Sequence, residues 1–228
     1  MAHAGNLDVY LEIGKKRVFA CAVDWPGWSR IGRDEAAALQ ALLDYAPRYA
    51  RVLHAADIAF DAPTSVAQLA VVERLPGGVT TDFGAPDIPP SSDTRPMDEA
   101  GLARSAALLG AYWQAFDAAA QAAAGKELRK GPRGGGRDVE GMTRHVMGAE
   151  RGYLARLAWK VKTDDSADLS AQVAQTRQAV LDALAQAVRV GLPERGPRGG
   201  AIWTPRYFVR RLGWHALDHI WEIEDRTE

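Results

Sequence analysis

The pattern of apolar and polar positions at the start of the chain predicts a β-hairpin. Between residues 7 and 13, apolar side chains alternate with polar neighbours, which is the period of a half-buried strand. Residues 14–16 are typical of a turn, and the nearly continuous apolar run at residues 18–23 is a suitable partner strand. Residues 24–28 contain a Pro-Gly pair and interrupt this second strand.

After this hairpin the pattern predicts a helix and then two more strands. A helix is predicted from Asp34 onward, and Pro47 kinks or ends it because proline lacks the amide hydrogen that a helix interior requires. We expect a third strand at residues 67–75 and a fourth at residues 79–83, separated by a Pro-Gly-Gly turn. Together these elements predict a small α+β module over residues 1–83.

A change in composition separates this module from the rest of the chain. Residues 84–95 are rich in proline and serine, which indicates a linker and a domain boundary. Residues 96–228 follow a helical period, and an amphipathic helix cannot bury its apolar stripe alone. We therefore expect an all-α four-helix bundle there, and an α+β fold for the whole chain. The predicted helices span residues 96–124, 138–159, 165–190 and 204–226.

Composition and charge exclude several classes of protein. Lys and Arg number 28 and Asp and Glu number 29, so the net charge of −1 argues against a polybasic nucleic-acid surface. No apolar run approaches the roughly 20 residues of a membrane span, and no signal peptide is recognisable. The single cysteine, Cys21, excludes an intramolecular disulfide, so the cytoplasm is the expected location.

Three of the five histidines have a spacing that suits a metal ion. His215 and His219 are four residues apart in the last predicted helix, so both project from one face of it. His145 lies in the second predicted helix, and the three imidazoles converge if the two helices are neighbours. Three nitrogen ligands leave a coordination position open, as in catalytic metal sites. The alternative is that the histidines are ordinary surface or core residues.

Two other residues of the last helix are candidates for contact with the metal ligands or the substrate. Glu222 follows His219 by three residues and is placed to orient a ligand histidine or to act as a general base. Its alternative is a solvated or salt-bridged glutamate. Arg211 lies one turn before His215 and is placed to receive an anionic substrate group, or to pair with an acidic neighbour. No catalytic residue is assigned.

Small residues and two similar loops complete the candidate features. Gly141, Gly148, Ala149 and Gly152 share the helix face of His145, which indicates close approach of a ligand or tight helix packing. The loops 131–135 and 196–200 both read Gly-Pro-Arg-Gly-Gly. They are either anion-binding loops or flexible connections. Neither loop has the Lys-Ser/Thr ending of a nucleotide-binding P-loop.

The second half resembles the DinB-like superfamily of four-helix bundles. That superfamily carries one histidine in its second helix and a His-x-x-x-His pair in its fourth, which His145, His215 and His219 match. The stretch 148–154 is also similar. The resemblance implies a divalent metal (zinc, nickel or iron), activity as a thiol-cofactor-dependent transferase or isomerase or as a metal-dependent hydrolase, and pairing as a homodimer.

The first half resembles the HicB-like antitoxin fold. The matching stretch is residues 24–36, a strand, a Pro-Gly break and a helix, within a resemblance that covers residues 7–75. The DNA-binding tail of many such antitoxins has no counterpart, since the chain continues into the predicted bundle. Trp25 and Trp28 are expected to pack internally rather than to recognise a partner.

Two functional hypotheses follow. The first is a metal-dependent transferase or hydrolase that acts on a small-molecule substrate through His145, His215 and His219. The alternative is a non-catalytic binding or regulatory protein in which the HicB-like module engages a partner.

Overall fold

The structure is a computed structural model that describes residues 6–130, 136–160, 166–196 and 199–227. The two loops predicted to bind an anion fall at residues 131–135 and around residues 197–198, outside the described residues. Contacts divide the chain after Arg95 into two compact units. The first unit also takes in Val209–Trp214, and the second comprises Pro96–Phe208 and the chain from His215 onward.

The first unit contains a four-stranded mixed sheet. Its strands are β1 (Leu7–Ile13), β2 (Val18–Ala22), β3 (Ser29–Gly32) and β4 (Leu69–Pro76), in the order β3-β2-β1-β4. β1 and β2 form the predicted antiparallel hairpin, and β4 pairs parallel to β1. The chain as a whole is therefore mixed α+β, with a sheet followed by a helical region, as predicted.

β3 was not predicted, because its four residues carry no clear alternation. The turn before it depends on Gly27, whose φ of +99° lies in the left-handed region that glycine favours. The amide of Ala22 donates to the carbonyl of Trp28 across this turn at 3.0 Å. β3 then pairs antiparallel with β2.

The helix predicted from Asp34 is present and ends before Pro47, whereas the strand predicted at residues 79–83 is not present. Asp34 caps α1 (Glu35–Asp44), and Pro47 lies in the first turn of a separate helix, α2 (Ala46–His54), where its missing amide hydrogen costs nothing. The predicted strand at residues 79–83 is wrong, since these residues form the short helix α3 (Val79–Phe83). The hydroxyl of Thr81 accepts from the amide of Gly78 and donates to buried Glu12, which favours a helical turn here.

Aromatic packing accounts for the two tryptophans after β2. Trp28 is fully buried and stacks on Tyr49 with ring centroids 5.2 Å apart. Trp25 meets the ring of Phe60 edge-on at 4.8 Å. Both tryptophans therefore pack within the first unit, as expected.

The proline- and serine-rich segment belongs to the first unit by its contacts. The amides of Asp87 and Ile88 donate to the buried carboxylate of Glu12 at 2.8–3.0 Å. Asp93 is also buried, and both of its oxygens accept from the guanidinium of Arg210 at 2.8 Å. Residues 84–95, which composition predicts as a linker, are thus held by specific hydrogen bonds.

The second unit contains long helices at the positions that periodicity predicts. They are α4 (Glu99–Ala122), α5 (Val139–Leu154), α6 (Leu169–Arg189) and α7 (Pro205–Arg226), and Val209–Trp214 of α7 belongs to the first unit. Side chains of Asp98, Asp138, Asp168 and Thr204 cap their first turns. α6 packs against α4 and α5. Within the described residues, no helix combines the length and apolar character needed to cross a membrane.

Candidate metal centre

Two helices of the second unit bring three imidazoles together. The Asp138 cap sets the start of α5, which places His145 in its second turn, and the Thr204-Pro205 pair starts α7, which carries His215 and His219. The four-residue spacing puts the last two on one face. The sequence could predict that face, and the structure adds the approach of His145.

The Nε2 atoms of the three histidines converge. Nε2 of His215 lies 3.2 Å from Nε2 of His145 and 3.2 Å from Nε2 of His219. One ligand atom from each ring lies within 4.8 Å of the other two. Zinc binds imidazole nitrogen at about 2.0–2.1 Å in tetrahedral geometry, so two such nitrogens are about 3.3 Å apart. The observed spacing therefore matches that of nitrogens sharing one ion.

Burial favours the neutral, ligand-competent form of His145. His215 and His219 are only 8% and 9% exposed, and His145 is partly exposed. Burial, followed by the charges of His219 and Arg137, lowers the pKa of His145, while Glu222 opposes the shift. A metal ligand must be unprotonated, so this lowered pKa suits a ligand histidine.

Glu222 fixes the orientation of His219. Its Oε2 lies 2.9 Å from Nδ1 of His219, and its Oε1 accepts from Nη1 of Arg226 at 2.7 Å. The hydrogen bond from His219, followed by that from Arg226, lowers the pKa of Glu222, which keeps it a carboxylate. An Nδ1–H that donates to this carboxylate leaves the lone pair of Nε2 directed at the other histidines.

Arg226 is a residue that the sequence reasoning missed. Besides Glu222, its guanidinium donates from Nε to the carbonyl of Arg129 at 2.7 Å and from Nη2 to the carbonyl of Arg137 at 3.1 Å. The four-residue spacing from Glu222 was a usable signal for the ion pair. Its two carbonyl partners lie about 90 residues earlier in the chain, and no local pattern indicates them.

Arg211 lies in the first unit, whereas the three histidines and Glu222 lie in the second. Its guanidinium donates to the carbonyl of Pro86 and lies over the ring of Trp214 at 4.9 Å. These two contacts are with a backbone carbonyl and an aromatic face.

Two of the three glycines on the face of His145 border open space, whereas Gly141 lies close to Asp138 and Arg137. A Cβ atom added to Gly148 or Gly152 would meet no atom within 4 Å among the described residues outside the helix backbone. Tight helix packing is therefore the wrong explanation for these two positions. Both are exposed, so α5 presents a smooth, accessible surface beside His145.

A row of aromatic rings continues from the histidines. The ring of Tyr153 lies 6.2 Å from that of His215, Trp203 lies 5.2 Å from Tyr153, and Tyr207 lies 5.0 Å from Trp203. Tyr153 and Trp203 are partly exposed. Trp203 belongs to the connection before α7, and nothing in the sequence signals that it approaches α5.

Comparisons of the chain with protein-family models, with curated proteins and with solved structures give no match. The resemblances to the DinB-like and HicB-like folds therefore rest on the residues quoted for them above.

Proposed function

We propose that this chain binds a divalent metal ion through His145, His215 and His219 and uses it in a transferase or hydrolase reaction on a small molecule. In this proposal the second half is a DinB-like four-helix bundle and the first half is a HicB-like module. The observation that supports the metal is the spacing of 3.2 Å between the Nε2 atoms. Zinc, nickel and iron all accept imidazole ligands.

The residues around the triad suit an open rather than a closed metal site. When bound, a divalent ion supplies a Lewis acid that polarises a substrate or lowers the pKa of water. Three protein ligands leave room for such chemistry, and the surface at Gly148 and Gly152 gives a small molecule access to His145. Both oxygens of Glu222 are engaged, by His219 and Arg226, which favours an orienting role over that of a general base.

Metal analysis of protein purified without a histidine tag tests the proposal. We expect about one divalent ion per chain by elemental mass spectrometry. His145→Ala, His215→Ala and His219→Ala should each lose it, because two imidazoles hold an ion far less tightly than three. His54→Ala is the matched control, since His54 lies in α2 of the first unit with its Nε2 3.3 Å from the carbonyl of Phe60.

Two results would contradict the proposal in different ways. Wild-type protein that takes up no ion, or His145→Ala protein that takes up as much as wild type, removes the metal site. Stoichiometric metal without turnover on a panel of thiol-transfer and hydrolysis substrates removes the enzyme. The second result favours a non-catalytic binding or regulatory protein.

A further inference from the structure

Arg137 carries a positive charge on the same side of α5 as His145. It lies two residues before the start of that helix, and its Cβ and Cγ would be 3.3 Å and 3.8 Å from a Cβ atom added to Gly141. Gly141 is one turn before His145, so the stem of Arg137 follows the face on which His145 lies.

The guanidinium of Arg137 has no carboxylate partner in the part of the chain that the structure describes. The two acidic residues that follow it are engaged elsewhere. Asp138 accepts from the amide of Gly141 at 2.7 Å, and Glu140 pairs with Arg144 at 2.7 Å. The Arg137 side chain is exposed, so an anion from solution can reach it.

The backbone that carries Arg137 is fixed relative to the histidines. The carbonyl of Arg137 accepts from Arg226, which also holds Glu222 and, through it, His219. Gly136 permits this approach, because a Cβ atom there would collide with the guanidinium of Arg226. One arginine thus ties the base of the Arg137 side chain to the triad.

The charges around the triad favour an anionic ligand. Three neutral imidazoles contribute no charge, and the charge of Glu222 is compensated by Arg226. A divalent ion would therefore keep its full charge, with Arg137 adding one more. Arg137 and His145 are eight positions apart, and the helical part of that interval, from Val139 to His145, rises about 9 Å, so one small molecule can reach both.

We propose that the site takes a small organic carboxylate whose carboxylate group is received by Arg137 while its reacting end lies at the three histidines. The inference rests on the proposed function, because it requires the metal. A single planar guanidinium matches a carboxylate with two parallel hydrogen bonds. A phosphate would be better served by several cations or a nest of amides than by this one arginine.

Ligand binding to the cobalt-loaded protein tests this inference without knowledge of the reaction. The visible spectrum of Co²⁺ at the triad reports ligands that enter its open position. Succinate, glutarate and adipate are the probes, and butyrate is the single-carboxylate comparison. We expect the best dicarboxylate to bind wild type about tenfold more tightly than butyrate, because its second carboxylate reaches Arg137.

Variants at Arg137 should remove that preference. Arg137→Gln should abolish it with cobalt loading unchanged, and Arg137→Lys should keep part of it, since the charge remains without the planar fork. Arg144→Gln is the matched control, an exposed α5 arginine paired with Glu140. A preference that survives in Arg137→Gln, or that is missing in wild type, overturns the inference alone. Failure of wild type to bind cobalt overturns the metal site and this inference together.

Discussion

Two arginine–carboxylate pairs, each with its arginine on α7, differ in their burial and in the groups that they contact. In the first unit, Arg210 and Asp93 have side chains only 5% and 3% exposed, and Arg210 also donates to the carbonyls of Ala22 and Val23. In the second unit, Glu222 is 35% exposed and shares its oxygens between Arg226 and His219. Besides each other, the first pair contacts backbone carbonyls. The second pair orients His219, a candidate metal ligand.

The largest expected effect is the loss of the buried pair. Asp93→Asn leaves the charge of Arg210 buried without a counter-charge, and breaking such a pair typically costs about 3–5 kcal/mol. Urea denaturation of metal-free protein measures the loss. Glu99→Gln breaks the exposed pair with Arg189 and is the control that should change little. Equal loss in both variants would contradict the structural role of Asp93.

A third acid, the buried Glu150, extends the comparison because it bonds to a tryptophan rather than to an arginine. Glu150 is 3% exposed and accepts from Nε1 of Trp113 at 2.7 Å, while the guanidinium of Arg177 donates to Asp117 at 2.6 and 2.7 Å. Burial raises the pKa of Glu150 to about 7, although Trp113 and Arg177 oppose the shift and Asp117 adds to it. The carboxyl group is therefore neutral below pH 7 in the folded protein.

The sign of the resulting pH dependence is opposite to that of a salt-bridged acid. Because the folded state holds the proton to higher pH than the unfolded state, stability falls as pH rises from about 4.5 to about 7 and then levels. A shift of that size corresponds to about 3 kcal/mol. Glu150→Gln should flatten this part of a stability profile measured by urea denaturation. An unchanged slope would show that other groups cause it.

The smallest expected effect concerns the Glu222–Arg226 pair at the proposed metal centre. Glu222→Gln removes the carboxylate that orients His219, and loss of such a contact typically weakens metal binding about 10- to 100-fold. Competition with a chelator measures the affinity. Stability of the metal-free protein should change less than in Asp93→Asn, because Glu222 is partly exposed. If Glu222→Gln loses stability but keeps its metal affinity, the Glu222–Arg226 pair is structural, like the Asp93–Arg210 pair.

The sequence predicts those helices and strands that are determined by residues close together in the chain. The β1–β2 hairpin follows from alternation, and the long helices follow from helical periodicity and their capping residues. Strand β3 is not predicted from the sequence because its pairing depends on the turn at Gly27. Helix α3 was predicted as a strand because its β-branched residues favour strands, whereas Thr81 bonds to Glu12, 69 residues away.

In the candidate site, too, local spacing predicts some of the residues and long-range packing positions the others. His215, His219 and Glu222 share one helix face, and their spacing alone predicted that they could act together. That His145 meets them, and that Arg226 reaches the carbonyls of Arg129 and Arg137, depends on the packing of segments distant in the chain. The glycines beside His145 are a third case, because the sequence identifies them but only the folded structure distinguishes open space from a helix contact.

The membership of Val209–Trp214 in the first unit has a consequence for the order of events at the ribosome. The ion pair of Asp93 cannot form until Arg210, which is 117 residues further along the chain, has been synthesised. At synthesis rates of about 5–20 residues per second, that interval lasts roughly 6–23 s. During it the carbonyls of Ala22 and Val23 also lack their guanidinium donor. The first unit therefore acquires these hydrogen bonds only after α7 has been synthesised.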